Sequence, residues 1–203
     1  LATALGSSGD RPEALAQLMG ILVNDGKRMP STRMVELRFA KGTPYETALE
    51  PAHSPGVRVI PPAVARTVLP VLAQVVQSGS AARLSGAYRI GDRPLTVGGK
   101  TGSGDNRLDT VGRWGQRTSS RSLDRTAVFA FYLGDRYFGV LTAFVPGKDA
   151  SEYGFTSSLP VALLKMLSPD IQALWQESPG AARKELTLAS NAGAAAGSAP
   201  MAP

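Results

Sequence analysis

The chain has 203 residues and is 43% hydrophobic, which is enough to bury the core of one domain of ordinary size. Its net charge is +6, yet Lys and Arg never occur more than two in a row, which argues against a nucleic-acid binder. There is no cysteine and only one histidine, and no acidic cluster accompanies it, so disulfides are excluded and a metal site is not indicated.

Apolar residues at helical spacing predict three main helices. The first follows Asp10, Pro12 and Glu13, a pattern typical of a capped helix start, and the turn at Asn24-Asp25-Gly26 ends it. The second begins at Pro61-Pro62, ends at Ser78-Gly79 and has a wide apolar face (Val64, Val68, Val71, Leu72, Val75 and Val76). The third runs from Ser158 to about Leu167, with a further helical segment capped by Ser168.

Strands are predicted between these helices. Arg33 to Phe39 alternates in polarity, which indicates one buried face, and Tyr45 to Leu49 is its weaker partner. Two apolar runs, 126–133 and 137–145, indicate central strands covered on both faces and joined by a type II′ turn at Gly134-Asp135. The element order predicts an α+β fold, with an antiparallel sheet flanked by helices.

The remaining segments are polar or low in complexity. Residues 102–125 are predicted to be a mobile polar loop; its arginines recur every four positions (Arg113, Arg117, Arg121 and Arg125), but Gly112 and Gly115 oppose a basic helix. His53, in a Pro-rich segment, is predicted to be a surface residue. Residues 1–175 are predicted to belong to one domain, and the Ala-, Gly- and Pro-rich residues 176–203 to form a disordered tail.

One short motif carries the chemistry. Lys100-Thr101-Gly102 ends a predicted strand, with two strands and a helix after it. The tripeptide alone is weak, and a solvated lysine at a strand end is the simpler explanation of it. Its position in this element order strengthens it, because K-T-G belongs to the motif set of the active-site-serine penicillin-binding proteins.

The chain resembles the transpeptidase domain of those proteins, over about residues 5–168. The family's other features are matched by Leu18–Pro30, by the Gly-hydroxyl-Ala turn within Val75–Leu84, and by the strands of 124–147. The resemblance is closest to class A-like, bifunctional peptidoglycan synthases. It implies the C-terminal part of the serine β-lactamase/D,D-peptidase fold, with no metal and no cofactor.

The resemblance also assigns roles to four residues. Lys100 is similar to the strand lysine that supports proton transfer around the serine and attracts the substrate carboxylate, and it is a predicted catalytic residue together with Ser103. Thr101 and Ser103 correspond to hydroxyls that bind this carboxylate, and the Ser103 N–H to an oxyanion donor. Gly102 corresponds to the position where the substrate backbone approaches the strand. Ser103 replaces the usual Thr and keeps its hydroxyl.

Two of the family's motifs have no counterpart. No serine stands three residues before any of the six lysines, and no S-x-N occurs. In the family both motifs precede the segment that Leu1 begins, so the nucleophile is expected upstream, in a longer protein, and the chain alone is expected to be inactive.

The implied activity is peptidoglycan cross-linking by a D,D-transpeptidase at the periplasmic face of the bacterial inner membrane. The expected partners are D-Ala-D-Ala stem peptides and β-lactams, not nucleic acid, with membrane attachment only through upstream segments. A D,D-carboxypeptidase or β-lactamase relative, and a non-catalytic penicillin-binding sensor module, remain alternatives, because the acceptor and the serine lie outside these residues.

Overall fold

The computed structural model describes residues 11–32, 36–49 and 54–177. Within them, the helices are α1 (Pro12–Val23), α2 (Pro62–Gln77), α3 (Ser158–Met166) and α4 (Ser168–Glu177). Short strands form three two-stranded pairs: β1 (Lys27–Arg28) with β4 (Val57–Arg58), β2 (Leu37–Phe39) with β3 (Thr47–Leu49), and β5 (Arg89–Ile90) with β6 (Arg93–Pro94). The main sheet is antiparallel, in the order β7 (Val97–Val111), β8 (Arg117–Leu133) and β9 (Tyr137–Pro146). The predicted α+β fold, an antiparallel sheet flanked by helices, is confirmed.

The helices begin and end near the predicted residues. Prolines occupy the first turns of α1 and α2, where a missing N–H costs nothing. After α1, the side-chain amide of Asn24 donates to the carbonyl of Gly20 at 2.8 Å, and Gly26 takes a φ of +86° that favours glycine. The predicted cap residue Asp10 lies outside the described residues, and Arg11, directly before α1, makes no side-chain capping bond. None of the described helices is long and apolar enough to cross a membrane.

Both faces of the central strand β8 are covered. Phe129 lies in a cluster with Tyr88, Leu84 and residues of α3, and all of these side chains are buried. The neighbouring Ala130 points the other way, into a second cluster formed with α1 and α2. Successive side chains of a strand point to opposite faces, so β8 is apolar on both sides because helices pack on both sides.

The structure corrects the predicted loop at 102–125. Residues 102–111 continue β7, residues 117–125 begin β8, and a short turn connects them. The two strands pair from Val97↔Leu133 out to Val111↔Arg117, with two register shifts on the way. Beyond the last pairing with β9, at Asp124↔Pro146, the hairpin is a two-stranded ribbon. Most of its side chains are exposed, so it lacks the alternation that identifies a half-buried strand; Ser122, which is buried, is an exception.

Four further predictions were wrong in part. The β8–β9 connection has three residues, since Leu133 pairs with Tyr137, and is not a two-residue turn. The strand β9 is at the edge of the sheet, with Phe144 56% exposed. The strand predicted from Arg33 is described only at Leu37–Phe39, where both apolar side chains are exposed, because its hairpin with β3 pairs with no other described strand. Two positions on the apolar face predicted for α2, Val64 and Val71, are exposed as well.

Candidate active-site strand

The candidate site lies on β7, in the middle of a strand and at the edge of the main sheet. Lys100 is directly opposite Ala130 of β8, which in turn pairs with Val140 of β9. The predicted pairing of the Lys100 strand with 126–133, and of that strand with 137–145, is therefore confirmed. Lys100 does not end its strand, however, because β7 continues to Val111.

Alternation along β7 divides the predicted residues between its two faces. Thr101 and Ser103 share the face of Phe129, toward the cluster beneath α3, while Lys100 and Gly102 belong to the opposite face. Thr101 is buried and Lys100 is exposed. The Lys100 ammonium donates to the carbonyl of Thr101 at 2.5 Å. An ammonium has three N–H donors, so two remain for other acceptors.

The face of Lys100 is open where the site would need space. A Cβ added to Gly102 or Gly104 would meet no atom of the described residues within 4 Å. Nearer the start of β7 the strand is closely packed: a Cβ at Gly98 would lie 2.4 Å from the Tyr132 ring, and one at Gly99 would lie 2.3 Å from the Ala130 carbonyl oxygen. The strand β7 therefore packs closely against β8 at Gly98 and Gly99 and is accessible at Gly102 and Gly104.

The hydroxyl of Thr101 has a partner that the sequence reasoning did not single out as a site residue. Ser80, in the turn between α2 and the short 3-10 helix Ala82–Leu84, lies with its Oγ 2.6 Å from Thr101 Oγ1. The signal in the sequence was the Gly-hydroxyl-Ala turn at Gly79-Ser80-Ala81. This bond ties the start of the site to the end of α2.

The hydroxyl of Ser103 is held from the other side of the chain. Its Oγ accepts a hydrogen bond from the backbone N–H of Ser157, the residue before α3, at 2.7 Å. Ser157 is 54 positions away in sequence and carries no motif, so no sequence signal could have found this contact.

Next to Ser103 lies a charged pair that is only partly exposed. Arg125 of β8 is directly opposite Asp105 of β7, and its Nη1 lies 2.8 Å from the carboxylate Oδ1. The same guanidinium donates from Nε and Nη2 to the carbonyl oxygen of Phe155, at 2.8 and 2.6 Å, and lies over the Phe155 ring. Both residues belong to the segment 102–125 that the sequence predicted to be a mobile loop.

Two buried tyrosines, one in each of the two core clusters, donate hydrogen bonds to helix carbonyls. The Tyr88 hydroxyl donates to the Leu164 carbonyl at 2.6 Å, and burial raises the pKa of Tyr88 to about 12. The Tyr132 hydroxyl donates to the Leu69 carbonyl at 2.8 Å, and burial raises its pKa as well. Both rings therefore stay neutral near pH 7.

No group of three or more His, Cys, Asp or Glu in the described part of the chain could hold a metal ion. An open pocket of about 820 Å³ lies elsewhere, beside the end of α1 and the β8–β9 turn, and its lining includes none of the predicted site residues. At its rim, a hydrogen bond from Arg66 holds the pKa of Asp25 below its usual value. The chemistry available at residues 100–103 of β7 is that of one cation, two anchored hydroxyls and backbone N–H groups.

Among the comparisons with known proteins, only the one with solved structures found a similarity. No family model matches the sequence, and no curated protein does. Among solved structures, the chain is similar to the apo structure of the TP domain from Burkholderia pseudomallei penicillin-binding protein 3, at 19% identity and a TM-score of 0.38. The similarity covers 75% of this chain and 40% of that one, so this chain spans about two fifths of its length.

Proposed function

We propose that this chain supplies the K-T-G strand of a serine D,D-transpeptidase of the penicillin-binding type, and that the nucleophilic serine lies outside the 203 residues. The observation that carries the proposal is the asymmetry of β7. On one face Lys100 and the bare Gly102 are open, while on the other the hydroxyls of Thr101 and Ser103 are anchored by bonds within the chain.

An open cation beside open backbone suits acyl transfer. In the proposed reaction a serine hydroxyl attacks the carbonyl of a D-Ala-D-Ala stem peptide, the peptide bond breaks, and the serine's proton leaves with the D-Ala amine. The amine of a second strand then attacks the acyl-enzyme, forms the cross-link and frees the serine. Lys100 stabilises the negative charge that develops during both steps, without reorganising, because it is already positioned on a strand.

The anion-binding groups follow from the same strand. We assign the backbone N–H of Ser103 to the oxyanion and its hydroxyl to the substrate carboxylate. Thr101 has the same proposed role, but its hydroxyl is buried and bonded to Ser80, so binding would require that this bond opens. Gly102 allows the substrate backbone to approach, since no atom in the part of the chain that the structure describes occupies the space beside it.

The biological setting is part of the proposal and rests on the sequence resemblance. Peptidoglycan stem peptides are the substrates and β-lactams the inhibitors, and the site faces the periplasm, where that polymer lies. The proposal includes a class A-like parent, which predicts a glycosyltransferase domain in the same polypeptide. No metal or cofactor has a step in this mechanism.

The proposal is tested by covalent labelling. The polypeptide that the host produces from this gene, with any residues encoded before Leu1, is incubated with penicillin and measured by intact-mass spectrometry. We expect one penicilloyl adduct on a serine outside residues 1–203, and none on the 203-residue chain. An adduct on the 203-residue chain would contradict the location of the nucleophile, and no adduct on either would contradict the proposed function.

A second arm identifies the acceptor. Polypeptide that has not been treated with penicillin is supplied with a stem-peptide donor and a D-amino acid, and a separate penicillin-labelled sample is followed for the lifetime of its adduct. Exchange of the terminal D-Ala indicates a transpeptidase, release of free D-Ala without exchange indicates a carboxypeptidase, and rapid loss of the penicilloyl group indicates a β-lactamase. A stable adduct with no turnover of the stem peptide indicates a sensor.

A further inference from the structure

Arg125 holds together three parts of the chain beside the candidate site. Its guanidinium is bonded to Asp105 on β7 and twice to the backbone carbonyl of Phe155, in the segment 153–157 that leads into α3. The guanidinium also lies 5.4 Å from the centre of the Phe155 ring, a stacking distance. Two positions later in that segment, the N–H of Ser157 donates to Ser103.

The arrangement determines which way the Ser103 hydroxyl acts. A serine hydroxyl has one O–H donor and two acceptor lone pairs. Because Ser103 Oγ already accepts the Ser157 N–H, its own O–H remains available to donate. A carboxylate is an acceptor only, so the available O–H of Ser103 suits it, and such a charge-assisted bond is stronger than a neutral one.

We propose that Arg125 is a positioning residue of the acyl-transfer site: it fixes segment 153–157 so that the Ser157 N–H orients Ser103 toward a substrate carboxylate. This inference rests on the proposed function for its ligand. Arg125 itself does not bind the carboxylate, because three of its five N–H donors are engaged with Asp105 and Phe155 and its charge is balanced by Asp105.

Lysine does not replace arginine in this arrangement. A guanidinium donates from two nitrogens to one carbonyl and from the third to a carboxylate, and it lies flat over a ring. An ammonium provides one donor centre, so Arg125→Lys keeps the charge and the pairing with Asp105 but loses the paired bonds to Phe155. The two substitutions therefore separate a requirement for charge from a requirement for geometry.

The first measurement tests the contact itself and needs no substrate. Amide hydrogen exchange is followed at Ser157 in the 203-residue chain, in wild type, Arg125→Ala, Arg125→Lys and the control Arg121→Ala. Arg121 is an exposed arginine of the same strand for which no ion pair is described. We expect exchange at Ser157 to be about ten-fold faster or more in both Arg125 variants, the scale of losing one or two hydrogen bonds, and unchanged in Arg121→Ala. Unchanged exchange in Arg125→Ala, with the fold retained by circular dichroism, would overturn the inference.

The second measurement tests the ligand. Acylation of the host-encoded polypeptide by a penicillin is compared with acylation by its methyl ester, which lacks the carboxylate charge. Ser103→Ala should reduce the acid-over-ester preference by about ten- to a hundred-fold, the range of one hydrogen bond to a charged group. Arg125→Ala should reduce it in the same direction, and the double variant should show little further loss, because both act through one group.

The outcomes separate the two proposals. If wild type is not acylated at all, the proposed function is wrong, and so is the proposal that Ser103 binds a substrate carboxylate. The exchange experiment still decides whether Arg125 fixes Ser157. If wild type is acylated and Ser103→Ala loses its preference but Arg125→Ala does not, the proposed function stands and the positioning role of Arg125 is wrong.

Discussion

The hydrogen bond between Ser80 and Thr101 makes an asymmetric prediction about stability. Thr101 is 8% exposed, whereas Ser80 lies at the surface. Ser80→Ala leaves the buried Thr101 hydroxyl without its 2.6 Å partner, and a buried hydroxyl that loses its partner costs about 1–2 kcal/mol. Thr101→Val removes the buried hydroxyl itself and leaves Ser80 to bond water, so we expect a loss below about 0.5 kcal/mol.

The double variant completes the cycle. Ser80→Ala combined with Thr101→Val has no unpaired buried group, so its stability should lie near that of Thr101→Val alone, with a coupling energy of about 1 kcal/mol. Urea unfolding of the 203-residue chain measures all four proteins, and the midpoint shifts at a constant m-value give the free energies. If Thr101→Val were as destabilising as Ser80→Ala, or if the two losses simply added, the reasoning from burial would be refuted.

Two further predictions concern the same strand and the core beneath it. Gly99→Ala should destabilise the fold by about 1–3 kcal/mol, since its Cβ would lie 2.3 Å from a backbone oxygen. Gly102→Ala should leave the urea unfolding midpoint unchanged but slow acylation. Equal stability losses of the two variants in urea would contradict this prediction. Burial raises the pKa of Tyr88 to about 12, so the unfolded state ionises first as pH rises through about 10. Stability should therefore fall between pH 10 and 12, less steeply in Tyr88→Phe, and the same pH dependence in both proteins would show that Tyr88 is not responsible.

The parts of the fold that sequence predicted are those with a strong apolar period. The bounds of α2 and the pairing of 126–133 with 137–145 follow from long runs that cover a core, and the sheet places them as expected. The extension of β7 and β8 beyond Asp105 could not be predicted. Most of its residues are polar, and its cross-strand contacts include Asn106 with Asp124 and Arg107 with Ser120.

The candidate site divides in the same way. Lys100 and its neighbours were found because they are contiguous and form a motif. Ser80, Arg125 and Ser157 reach the strand from three other parts of the chain. Only Ser80 lies in a turn that the sequence marked, and no sequence pattern predicted any of the three contacts. Single-sequence reasoning finds the reacting groups more readily than the groups that orient them, because orientation depends on tertiary contacts.

The central claim is that Lys100 is part of an acyl-transfer site, and the acylation rate of the host-encoded polypeptide by penicillin tests it most directly. Lys100→Ala should lower the second-order rate constant by roughly two to three powers of ten, the scale of losing one preorganised electrostatic contact. Lys165→Ala, which removes an exposed lysine on α3, is the matched control and should leave the rate unchanged. An acylation rate in Lys100→Ala equal to that of wild type would contradict the account, and would mean that this lysine is only a solvated residue on a strand.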